Sequence, residues 1–107
     1  MDVQRMIRTL SLSEDLAPFR ALVEPLVEHD RGRGSDLVKT LRTYFAAGAN
    51  ASEAADRLFL HRNSMTYRLE RIGKLTGLDF REPGVALALQ LGLLSLERGE
   101  KDEDEHP

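Results

Sequence analysis

The sequence predicts an all-α fold, a helical bundle of five to six helices that contains a helix-turn-helix. Three observations predict it. Apolar residues recur at three- and four-residue spacing along most of the chain. Alternating runs of β-branched and aromatic residues, the mark of strands, are missing. Ser, Asn, Gly and Pro stand where helix starts and stops are needed.

The elements follow in order. Val3, Met6, Ile7 and Leu10 fall at helical spacing and predict a weak helix over 3–10. Ser13 suits an N-cap, and the acids Glu14 and Asp15 favour the positive end of the helix that follows. That helix carries Leu16, Phe19, Val23, Leu26 and Val27 on one stripe. Pro18 fits its first turn, and Pro25 is expected to kink or divide it. Arg31-Gly32-Arg33-Gly34 reads as a loop. Ser35 is the expected cap of the next helix, whose apolar face is Leu37, Leu41, Tyr44 and Phe45, with Gly48 as its stop.

Asn50 or Ser52 starts a short helix, and Asn50 with Glu53 resembles a capping box. This helix, 52–58, turns Ala54, Ala55 and Leu58 inward. After a break at Phe59-Leu60-His61, a helix over 62–75 buries Met65, Leu69 and Ile72 and ends at Gly77. Pro83 suits the first position of a last helix, 83–98. Its leucines lie almost all round, so it must be covered on more than one side. Gly84, Ala88 and Gly92 form a small-residue stripe along it, where another helix could approach closely.

A chain of 107 residues holds one domain's worth of core. Residues 1–30 are read as an N-terminal helical segment, a remnant of a preceding region. Residues 31–98 are read as the helix-turn-helix domain and 99–107 as a disordered acidic tail. The lack of Cys excludes disulfides and thiolate metal sites. No apolar run reaches the roughly 20 residues that span a bilayer, and the first residues lack the order of a signal peptide. A cytoplasmic location away from membranes is expected.

The net charge of −3 hides an asymmetry. Residues 97–107 hold six acids against two bases, which leaves the rest of the chain at +1. Within 57–74, five bases (Arg57, Arg62, Arg68, Arg71 and Lys74) stand against the single acid Glu70.

These bases lie on the two short helices joined by a three-residue turn, the layout of a helix-turn-helix. Such a unit needs a small apolar first helix and a second helix that offers polar groups to the major groove. With Met65, Leu69 and Ile72 inward, the second helix turns Asn63, Tyr67, Glu70 and Lys74 outward. Arg62, Asn63, Thr66 and Tyr67 are the candidate base-reading residues. Arg62 matches guanine O6/N7, Asn63 matches adenine N6/N7, and the Thr66 methyl matches thymine's. Ser52, His61, Ser64, Arg68, Arg71 and Lys74 are candidate phosphate contacts.

Plainer readings stand beside these. Arg71 and Lys74 equally fit a solvated face, and Arg68 lies near the buried edge, within reach of Asp56 or Glu70. Tyr67 fits a packing role and Asn63 a cap. Phe59 occupies a turn that often holds Gly. Because Phe resists positive φ, a longer or differently shaped turn is expected.

Residues 36–96 resemble the C-terminal helix-turn-helix domain of the PucR family of bacterial transcription regulators, related to the sugar-diacid regulators. The resemblance rests on Leu41 with Tyr44-Phe45 and on Asn50 through Ala55 with Leu58. It rests further on His61-Arg62-Asn63-Ser64 with Tyr67-Arg68-Leu69, and on Leu75-Thr76-Gly77 followed by Asp79. Ser64 departs from the family's Thr and keeps the hydroxyl. Residues 25–30, PLVEHD, resemble the segment that precedes this domain. The resemblance implies a transcription-factor module whose partner is duplex DNA. Family members are usually longer, with sensor domains ahead of this unit. The chain is therefore expected to be a C-terminal fragment or a short stand-alone relative.

Sequence-specific reading of duplex DNA is the leading expectation, as a homodimer joined through helix 83–98; a central core role for that helix is the competing reading. The alternative function is a protein-interaction or dimerisation module on the same scaffold. An enzyme is not expected. His29, His61 and His106 lack metal-site spacing, and there is no Gly-rich phosphate loop or nucleophile elbow. Ser64 near His61 imitates a nucleophile–base pair, but both belong to an exposed helix start. No cofactor, metal or small-molecule ligand is expected.

Overall fold

The computed structural model describes residues 1–104, with side chains through Glu97. Among them lie six α-helices: α1 (Val3–Ser11), α2 (Ala17–Arg33), α3 (Leu37–Ala46), α4 (Ala51–Arg57), α5 (Arg62–Thr76) and α6 (Pro83–Asp104). A 3₁₀ turn, Glu14–Leu16, leads into α2, and no strand is found among the described residues. The fold class is the expected one.

α2 and α6 form the longest seam, with α1 and α3 packed on α6 beside it. α3, α4 and α5 pack on one another, and α5 also rests on α2. One buried cluster joins all these helices except α1. Its centre holds Val23, Leu26, Leu41, Ala54, Met65, Ile72 and Leu89, all nearly or fully shut off from water. Tyr44 extends it to the α5–α6 loop through an edge-on contact with Phe80, ring centroids 5.3 Å apart.

Most caps sit where local chemistry puts them. The Ser13 hydroxyl accepts from the Asp15 N–H, and Pro18 lies in the first turn of α2. Asn50 Oδ1 accepts from the Glu53 N–H at 2.9 Å. The return half of the capping box is replaced: the Glu53 carboxylate pairs instead with Arg57 at 2.8 Å. Gly77 ends α5 with φ 70°.

Four expectations are corrected. Pro25 does not divide α2, which runs unbroken through it. Proline removes one backbone donor, but the neighbouring Val23 and Leu26 are completely buried and hold the helix in place. Arg31, Gly32 and Arg33 are helical rather than loop, and Gly34 is the stop, at φ 64°. Ser35 does not cap α3. Asp30 does, its two carboxylate oxygens accepting the N–H groups of Leu37 at 2.8 Å and Val38 at 3.0 Å. An ionised carboxylate is a stronger acceptor than a hydroxyl and reaches two orphan donors at once. The Ser35 hydroxyl instead donates to Asp30 Oδ1 at 2.5 Å.

The fourth correction is the α4–α5 turn. Phe59 takes φ 57° after all, although the turn, residues 58–61, is longer than three residues, as its presence led one to expect. The Phe59 N–H donates to the Asp56 carbonyl and the Leu60 N–H to that of Ala55. This is a Schellman motif, with Phe59 at the position that usually takes glycine. Its side chain is fully in solvent, 96% exposed.

α6 continues to Asp104, past the expected end at 98. Of the expected acidic tail, the backbone of 99–104 belongs to this helix; residues 105–107 lie outside the described residues. Leu89 and Leu93 are buried, whereas Leu87 is 58% exposed. The small-residue stripe is used at one point. A Cβ at Gly92 would collide with the Phe19 carbonyl oxygen, so the α2 backbone lies directly against it, while Gly84 faces open space.

Candidate nucleic-acid interface

α4 is thin on its inner side, where Ala54 and Ala55 are buried. That lets α5 cross it closely. α5 anchors itself by Met65 and Ile72, with Leu69 half-buried. The opposite face follows from the helical period: Arg62, Asn63, Ser64, Thr66, Tyr67, Glu70 and Lys74 are exposed. All four candidate base-reading residues thus share the open N-terminal half of α5. Tyr67 is 63% exposed, too open for a packing role.

His61 is the N-cap of α5. Its Nδ1 accepts from the Asn63 N–H at 3.1 Å. A neutral ring that accepts at Nδ1 carries its proton on Nε2. The cap therefore turns a donor outward from the helix start. It also answers the alternative for Asn63, whose side chain is not the cap.

The candidate phosphate contacts divide by burial. Ser52, His61, Ser64 and Lys74 are exposed, while Arg68 and Arg71 are half-buried. Arg68 pairs with neither Asp56 nor Glu70. Its Nη1 donates to Thr40 Oγ1 at 3.1 Å, and the buried Thr40 hydroxyl donates on to the Asp36 carbonyl. Arg68 is thereby fixed by α3. The Arg71 Nε is buried without a hydrogen-bond partner.

Among the clefts along α5, two border its N-terminal half. One, of about 440 Å³, lies toward α4 and is lined by Ser52, Asp56, Arg62 and Thr66 among others. The other, of about 530 Å³, lies toward the end of α2. There His29 and Arg33 of α2 oppose Asn63, Tyr67, Arg68 and Arg71 of α5, and no acidic side chain lines it. Sequence reasoning missed His29 and Arg33. A signal existed: they are four residues apart, on one face of any helix that runs through both. Reading the Gly-flanked arginines as a loop concealed it.

A short helix, a tight turn and a second helix with an open polar face define a helix-turn-helix module. The model of the PucR C-terminal helix-turn-helix domain matches residues 37–95, and the chain belongs to that family. It is similar to the purine catabolism regulatory protein of Bacillus subtilis, with 34% identity over 86% of this chain and 17% of that protein. It is also similar to the proline-responsive transcriptional activator PutR of the same organism, 29% identical over 80% of this chain and 19% of the relative. The carbohydrate diacid regulator of Escherichia coli is 44% identical over 40% of this chain and 11% of its own length. The chain spans about one fifth of the length of these two Bacillus subtilis relatives. No solved structure gives a significant match. Among the described residues, no helix is long and apolar enough to cross a membrane.

Proposed function

We propose that this chain is the DNA-reading module of a bacterial transcriptional regulator, acting in the cytoplasm on duplex DNA with α5 in the major groove. One observation carries the reading: Arg62, Asn63, Thr66 and Tyr67 stand together and exposed at the start of α5, while the same helix buries Met65 and Ile72. Arg62 and Asn63 supply bidentate donor sets for guanine and adenine, and Thr66 a methyl for thymine. His61 through Nε2, Ser52 and Ser64 through their hydroxyls, and Arg68, Arg71 and Lys74 through charge hold the backbone on either side. Two copies joined along α6, where Leu87 is exposed, place two reading helices on one duplex. A single module buries only roughly 600–1,000 Å² of protein on DNA, so pairing adds affinity by linking half-sites.

Selection from random-sequence duplexes at two salt concentrations tests this, with the Arg62→Ala/Asn63→Ala double variant beside the wild type. The expected result is an enriched site that weakens with salt and is lost in the variant. The site should appear as two half-sites about one helical turn apart. A lone half-site removes the homodimer. No enrichment by the folded wild type sinks the DNA reading and favours a partner-binding module.

A further inference from the structure

The cleft between α2 and α5 lies partly outside the family-matched segment, since His29 and Arg33 precede residue 37. Its charge is one-sided: Arg33, Arg68, Arg71 and His29 line it without an acid. The nearest carboxylate in the network, Asp30, is already engaged by the Ser35 hydroxyl and the Leu37 and Val38 N–H groups.

The hydrogen bonds fix how His29 presents itself. Ser35 has one hydroxyl proton, and an ionised Asp30 can only accept it. The 2.8 Å contact between Ser35 Oγ and His29 Nδ1 must then use the imidazole N–H as donor. His29 Nε2 is left over, buried and without a partner. The Arg71 Nε, in the same cleft, is buried and unpartnered too. Buried polar atoms are rarely left unsatisfied. Of the two, the Arg71 Nε is a donor, and it belongs to a cleft that Arg33 and Arg68 also line, where an anion would supply its acceptor.

We propose that this cleft binds a backbone phosphate of the DNA that α5 reads, with Arg33 and Arg71 as its charged contacts. The inference rests on the DNA reading above and extends the interface to α2, outside the helix-turn-helix itself. A phosphate supplies several acceptor oxygens, which the N–H groups of Arg33 and Arg71 complete. The contact is sequence-independent and sets how α5 sits in its groove. A free phosphate group offers the same chemistry, and the test separates the two sources.

Fluorescence anisotropy on the full chain, with an enriched duplex and a scrambled one over a salt series, reads the contact. Arg33→Ala should weaken binding to both duplexes by a similar factor and lower the log–log salt slope by about one. Arg8→Ala, which removes the same charge from exposed α1, should change neither slope nor site preference. Thermal melting of each variant reads folding separately. An unchanged salt slope in a folded Arg33→Ala overturns the proposal while leaving the DNA reading intact. Failure of the wild type to bind any duplex overturns both. Millimolar inorganic phosphate that displaces DNA at constant ionic strength from wild type but not from Arg33→Ala would assign the cleft to a free anion instead. No such displacement supports the backbone contact.

Discussion

The α2–α6 seam and the α4–α5 pair share one core, yet they are built on different terms. Along the seam, Val23, Leu26, Leu89 and Leu93 are buried, and Gly92 lets the two backbones touch. The α4–α5 pair is held by two alanines, Met65 and Ile72. It tolerates a phenylalanine in the left-handed region and leaves the outer side of α5 in water. The difference separates a close-packed seam from the exposed face on which the proposed function rests. The seam supplies close packing, so the helix-turn-helix pair can carry a strained turn and a row of exposed polar side chains.

Three substitutions break or sharpen this contrast. The largest effect belongs to Leu89→Ala, which should lower folding stability by about 2–5 kcal/mol through lost burial and the cavity left behind. Chemical denaturation would register it, while the folded fraction should keep wild-type DNA affinity. A comparable loss of affinity in that fraction would dissolve the distinction between the two regions. Gly92→Ala comes next. In an ordinary helix interior this change stabilises by about 1 kcal/mol. Here the added methyl meets the Phe19 carbonyl and Val23, so a net loss of about 1–3 kcal/mol is expected. A rise in melting temperature would show that the seam yields easily. The smallest effect is of opposite sign. Phe59→Gly relieves the positive φ of an exposed side chain and should raise stability by about 1 kcal/mol. A lower denaturation midpoint would mean that the turn is not a strained element.

Much of this architecture was legible in the residues. Helical periodicity placed every helix, and it set Met65 and Ile72 inward against Asn63 and Tyr67 outward. Local caps at Ser13, Asn50 and Gly77 were equally readable, because donor and acceptor lie within a few positions of each other. What escaped depends on distance along the chain. Asp30 caps a helix that begins seven residues later, across a glycine stop. Arg68 is tied to Thr40, 28 positions away. The basic cleft has one wall on α2 and the other on α5, and no single window of sequence contains both. Phe59 escaped for another reason. Steric preference argues against its conformation, but the paired N–H groups of the Schellman turn and the packing of Leu60 on the core outweigh that preference.

The carboxylate of Asp30 also bears on what counts as a self-sufficient folding unit. The family-matched segment begins at Leu37, the residue whose N–H Asp30 holds. A chain cut at that boundary would start α3 with two orphan donors and lose Val23 and Leu26 from the shared core. α2 is therefore a mechanical lead-in. It grips the start of α3 through Asp30, walls the cleft beside α5, and runs along α6. Strain applied to its first turn would pass to α5 by the direct packing of the two helices.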